Sequence, residues 1–195
     1  GAYWNNPQGT WSGNKNDWTR SGVIHYLNDT YLPTIETKYA NMIENVVYHL
    51  GNSHYSYTPA KSYTEERGTS ICASGVYSYN DDTCQVWYNN QSTWTGKIGL
   101  LYASDQAYTR SSTSWTSILD TKISSWLTPS TYSWLLSPSA NSSVNVMRVH
   151  SSGDVRNYEV NYTKFALRPC LYLKSDTKIL DGSGSINDPY LLKTA

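Results

Sequence analysis

The chain has 195 residues, a formal net charge of zero and only 15% charged side chains, a balance in which nothing suggests nucleic acid or an anionic membrane as the partner. Its length suits a single compact domain spanning residues 1–195. With 18 Tyr and 8 Trp against one Phe, its aromatic rings are chiefly those that pack on one side and hydrogen-bond on the other. No apolar run reaches the roughly 18 residues of a membrane span, and no signal-like segment opens the chain. Because it begins with Gly-Ala, the expectation is a processed or recombinant piece whose anchor or signal is missing.

Residues 1–16 are rich in Asn, Gly and Ser with Trp4 and Trp11, lack periodicity, and read as an extended arm. Asp17 is placed to cap a helix in which Val23, Ile24, Leu27 and Tyr31 recur at helical spacing, with Pro33 at its end. A second helix is expected from Ile35, Tyr39, Met42, Ile43, Val46, Val47 and Leu50, with Gly51 as its C-terminal cap. Both helices read as core packing, and His25 and His49 within them as structural.

Residues 52–95 read as loops with strand-sized fragments. Cys72 and Cys84 flank a Gly/Ser/Tyr/Asn/Asp segment and are expected to close it as a disulfide, the alternative being two free thiols. Lys97–Tyr102 reads as a buried strand, and Ser114–Leu127 as a third helix ended by Pro129. Two apolar strands follow, at Trp134–Leu136 and Leu167–Leu173, the second holding Cys170 as a small hydrophobe. Between them Val144, Val146 and Val149 suggest a half-buried strand and Ser151–Asp154 a hairpin turn. The run Arg156, Asn157, Tyr158, Glu159, Asn161, Tyr162, Thr163 and Lys164 mixes charge, amide and aromatic groups, as contact surfaces do, and His150 beside it is a candidate ligand contact. Helices first and hairpins later predict an α+β domain with several short antiparallel strands and long loops.

Motifs for chemistry are sparse. Asp181–Asp188 lacks the closing Glu of an EF-hand and reads as a turn. The four histidines form neither HxxxH nor HExxH, so no metal and no cofactor is indicated. No GxSxG elbow supports a serine hydrolase, and the pairs Glu65-Glu66 and Asp81-Asp82 read as solvated loop acids. The sequons at Asn28, Asn90, Asn141 and Asn161 are expected by chance in a chain so rich in Asn, Ser and Thr.

The order WTGKIGLLYASDQAYT, then WLLSP, then VNVMRVHSSGDVRNYEVNYTKFALRPCLYLKSDTKIL and DGSGSINDPYLL resembles bacterial and phage surface domains of the C-type-lectin-like fold. Within them it is most similar to the formylglycine-generating-enzyme-like branch. That branch includes variable proteins diversified by retroelements and pilin-like or cell-surface proteins of gut Firmicutes. The resemblance implies two helices, several short hairpins, and a ligand-display region at 134–173. Carried over by position, the display residues are Asn141, Ser143, Asn145, Met147, His150, Asp154, Arg156, Tyr158, Glu159, Asn161, Tyr162, Thr163 and Lys164, with Trp134 and Arg168 as scaffold. The reactive cysteine pair and copper of the enzymatic branch, and the EPN or QPD and WND motifs of calcium lectins, have no counterpart here. The function expected is non-enzymatic recognition or adhesion at a cell surface, toward a protein or glycan. The alternative is a structural role as the exposed head of a pilus or surface polymer, oligomerising through a missing N-terminal part.

Overall fold

A computed structural model describes residues 2–5, 15–68, 71–72, 86–87, 90–109, 117–118, 130–161 and 164–194, and the architecture is mixed α+β. The expected Cys72–Cys84 disulfide, and the helix expected at Ser114–Leu127 apart from Ser117 and Ile118, lie outside the described residues.

The first helical stretch forms as anticipated. Asp17 accepts a hydrogen bond from the Thr19 amide and starts a 3-10 turn at Trp18–Arg20. Ser21 caps α1 (Gly22–His25), which runs on through a π-helical segment at Tyr26–Tyr31 to a 3-10 turn at Leu32–Thr34. Val23, Ile24 and Leu27 point into the core, whereas Tyr31, expected on the same face, is exposed.

The second helix does not form as expected. It stops after one turn, α2 (Thr37–Ala40), and after a tight turn the chain becomes strand β1 (Val46–His49). Val46 is half-buried, Val47 exposed and Tyr48 buried, so the same residues satisfy a period of two. The β-branched pair and the ring partner supplied by Trp94 decide for the strand: Tyr48 lies opposite Trp94 of β4 (Thr93–Gly96), with ring centroids 5.3 Å apart. His49 is therefore a strand residue, and Gly51 is no helix cap. A Cβ at Gly51 would lie 2.0 Å from the Glu65 carbonyl oxygen, so glycine is required by close backbone approach.

The region expected to be loops contains helix α3 (Pro59–Glu66), with Thr58 accepting from the Lys61 amide and Pro59 in the first turn. It also contains a two-residue pair, β2 (Ile71–Cys72) and β3 (Val86–Trp87), which is parallel rather than antiparallel. Strand β5 (Ile98–Leu100) is buried as expected, and α4 (Ala103–Tyr108) follows it.

The central sheet is antiparallel, in the order β6 (Ser133–Pro138), β7 (Asn145–Val149), β8 (Val155–Glu159). Its register puts Trp134, Val146, Arg148, Arg156 and Tyr158 on one face and Leu135, Met147, Val149, Val155 and Asn157 on the other. The first face joins a large core with Trp4, Trp18, Leu27, Tyr48, Ile98, Leu100 and Phe165. The second packs on Ala103, Ala107 and Ile118. Both faces are thus covered, which explains why every residue of β6 is buried. Val146 and Val149 face opposite cores, so β7 is not the half-buried strand anticipated.

Two further elements sit outside this frame. The expected core strand at Leu167–Leu173 is β9 (Pro169–Leu171), which pairs with β5 but keeps Pro169 exposed and Cys170 and Leu171 only half-buried. The hairpin of β10 (Thr177–Asp181) and β11 (Leu191–Thr194) presents Ile179, Leu180 and Leu191 to solvent. Its connection turns at Gly182 and Gly184, both at positive φ, confirming a turn at Asp181–Asp188. At the other end, Ala2 exchanges backbone hydrogen bonds with Phe165, and Trp4 is buried with its indole N–H donated to the Leu135 carbonyl 3.1 Å away. The described part of the arm is therefore packed into the core.

Met147→Ala removes a fully buried side chain from the second face and is expected to lower unfolding free energy by about 2–5 kcal/mol in urea denaturation. An unchanged midpoint would show that this face is not packed as described.

Candidate functional site

The β7–β8 hairpin follows the anticipated turn. The His150 amide donates to Asp154, the Gly153 amide donates to His150, and Gly153 holds φ of 90°. Inside it, however, the polar residues mostly bond to one another. The Asp154 carboxylate is buried and accepts from the Ser152 hydroxyl and from Arg156 Nε. Burial pushes the Asp154 carboxyl up, but those two bonds and the positive charge of Arg156 hold it below the usual range. His150 contacts the Tyr132 hydroxyl at 2.9 Å through Nε2 and the Ser152 amide at 3.1 Å through Nδ1.

This geometry corrects several expected display residues. Met147 is wholly in the second core, because the sheet is covered on both faces, and Asp154 is an internal anchor. Asn141 is half-buried and its Oδ1 accepts from Ser139 Oγ and Asn157 Nδ2. The carbonyls of Ser143 and Asn145 accept from the Lys15–Asn16 segment, the former from both amides and the latter from Asn16 Nδ2. Glu159 is half-buried at the end of β8, and Asn161 is half-buried with its Oδ1 unpaired. Lys164 is exposed, its Nζ 5.4 Å from the Tyr3 ring centre. Tyr162 and Thr163 lie outside the described residues.

Arg156 and Tyr158 are brought together, and with them two residues that sequence reasoning left out of the site. A cleft of about 320 Å³ is lined by Tyr55, Arg148, Arg156, Asn157 and Tyr158. The Arg148 guanidinium lies over the rings of Tyr132, Tyr158 and Phe165, 4.6, 4.8 and 5.4 Å from their centres. Its Nε and Nη1 are buried with no hydrogen-bond acceptor. A charged residue within the apolar run Val144–Val149 was the one available signal for Arg148. Tyr55 carried none, since it arrives from a loop distant in sequence. A larger cleft, about 450 Å³, lies among Tyr26, Leu27, Tyr31, Leu167 and Pro169, and its described lining includes no charged side chain.

A second polar cluster was also missed. Glu66, expected to be solvated, is completely buried at the end of α3. Its carboxylate accepts from the hydroxyls of Ser62, Ser104 and Ser137 and from the Ser104 amide, joining α3, α4 and β6. Arg67 lies 3.5 Å from Glu66 and 3.6 Å from Asp105, with its guanidinium over the Tyr63 and Tyr102 rings. Burial outweighs the serine hydrogen bonds and pushes Glu66 up to about 7. This carboxylate ties α3, α4 and β6 together.

Among the described residues, no group of three His, Cys, Asp or Glu side chains is placed to hold a metal ion, and no helix is long and apolar enough to cross a membrane. The half-buried Cys170 has a free thiol, pushed up to about 11 chiefly by burial. No family model, curated protein or solved structure matches the chain.

Glu66 binds its proton more tightly folded than unfolded, so its contribution to stability is full below about pH 4.5 and is lost as pH rises through about 7. Denaturation across that window is expected to show stability falling more steeply in wild type than in Glu66→Gln. Identical slopes would count against a buried, proton-linked carboxyl.

Proposed function

We propose that this chain is a non-enzymatic, extracellular recognition domain of C-type-lectin-like fold, displayed on a bacterial or phage surface. Its binding face is the cleft at β7 and β8, and its ligand is a protein or a glycan. The single observation that carries this reading is the lining of that cleft: two guanidiniums, an amide and a phenol ring from a sheet packed on both faces, with the Tyr55 ring from a loop. Tyr gives a large contact area with few rotors, Arg adds a planar set of donors, and a braced sheet limits the entropy lost when a ligand orders them. The family resemblance of the 134–173 segment supports the same face, and the mixed α+β architecture agrees with the fold it implies.

The binding face is narrower than the stretch 141–164. Met147 and Asp154 support it from within, while Arg156, with its side chain half exposed, is the most accessible member of the cleft that is also polar enough to select a ligand.

An array of glycans and proteins probed with wild type and Arg156→Ala tests this reading. Wild type is expected to bind a discrete set of ligands, and the variant to lose about tenfold or more of that affinity, a loss typical of a charged contact. Its melting temperature is expected to stay within a few degrees, since the lost Asp154 partner is half exposed and Ser152 still serves that carboxylate. Array ligands bound equally well by the variant would exclude this face.

A further inference from the structure

We infer that the cleft seats a carboxylate, carried by an acidic sugar residue, against Arg148 and Arg156; this deepens the recognition reading and rests on it. Arg148 and Arg156 stand directly opposite each other on β7 and β8, on the same face of the sheet. Like charges so placed repel, and such a pair persists where a counter-charge is supplied. Among the described residues one carboxylate serves this pair, that of Asp154, which accepts from Arg156 Nε. Two cations against one anion leave a single positive charge uncompensated.

That charge is focused on Arg148. Its residue is more than nine-tenths buried, it lines the cleft, and its Nε and Nη1 have no acceptor. Aromatic faces hold the cation from Tyr132, Tyr158 and Phe165, but a ring face accepts no second hydrogen bond from the guanidinium edge. Buried donors without an acceptor cost stability, and a planar carboxylate matches either guanidinium edge, Nη2 with Nε or Nη2 with Nη1, through two parallel hydrogen bonds. Since one positive charge is left over, a monoanion balances the cleft better than a phosphate dianion.

The remaining walls suit a sugar ring as the body that carries this group. Tyr55 and Tyr158 line the cleft beside the two guanidiniums, and aromatic rings suit the C–H side of a pyranose, while the Asn157 amide, which the register turns to the opposite face, is engaged with Ser139 and Asn141. The volume, about 320 Å³, holds one such ring and not a folded peptide segment.

Calorimetric titration of the whole chain with glucuronate, glucose, inorganic phosphate, and a tripeptide as free acid and as amide tests the inference. Wild type is expected to bind glucuronate about tenfold or more tighter than glucose, phosphate or either peptide. Arg148→Met is expected to lose that preference for acid over neutral sugar and to melt no lower than wild type, because it replaces a buried unpaired charge by an apolar chain of similar length. Arg148→Lys keeps the charge without the fork and is expected to lose most of the preference. Equal binding of glucuronate and glucose by wild type, or stronger binding of phosphate or the acid peptide, overturns the carboxylated sugar. The wild-type comparison decides this even if a variant fails to fold. Array ligands that are all neutral, yet lost in Arg156→Ala, would remove this inference and leave the recognition reading standing; array binding indifferent to Arg156 would remove that reading.

Discussion

The two-sided burial of the β6–β7–β8 sheet is the constraint on which the described structure depends. Trp134, Leu136 and Val146 enter one core and Leu135, Met147 and Val149 the other, so adjacent residues in these strands are committed to opposite interiors. Each such side chain is worth roughly 1.5–3 kcal/mol of burial. A shift of one residue in register would exchange the two sets and drive Arg148 and Arg156 into the smaller core, so the pairing is strongly specified. The N-terminal segment adds to this from outside: Trp4 donates to Leu135, and Trp134 donates to the Ala2 carbonyl.

Two buried polar groups join elements. Glu66 gathers three serine hydroxyls and a backbone amide from α3, α4 and β6, and Ser137 also accepts from the Ala103 amide. Asn16 does the same beyond β7, donating to the carbonyls of Ser142 and Asn145 while accepting from Asn90. Such groups carry a desolvation cost that hydrogen bonds offset, and they fix one arrangement among those an apolar core would tolerate. Arg148 differs from them, because its guanidinium is buried against rings and lacks an acceptor. Its positive charge separates it from Gln106, whose buried amide also lacks partners, and is what the proposed acidic ligand would meet.

The sequence by itself determined local features whose causes are local. The Asp17 cap, the amphipathic first helical stretch, the buried β5, the apolar Trp134–Leu136 strand and the glycine turn at Ser151–Asp154 all formed where residue chemistry placed them. The α+β class was legible for the same reason. So was part of the cleft proposed as the binding face, since Arg156, Asn157 and Tyr158 stand on an outer strand with the charged, amide and aromatic mixture typical of contact surfaces.

Only the tertiary structure decided the rest. Ile35–Leu50 satisfies helical and strand periods alike, and the Trp94 ring across from Tyr48 selects the strand. Thr58-Pro59 was a helix-start signal, yet Glu66 reads as solvated until three serines from distant parts of the chain surround it. Met147 and Arg148 are neighbours with opposite fates, because alternate strand residues face different cores: one fills an interior and the other lines a cleft with Tyr55, a residue 93 positions away by subtraction of their numbers. Residue type and spacing specify what a segment can become; which face is covered, and by what, depends on partners that sequence separation conceals.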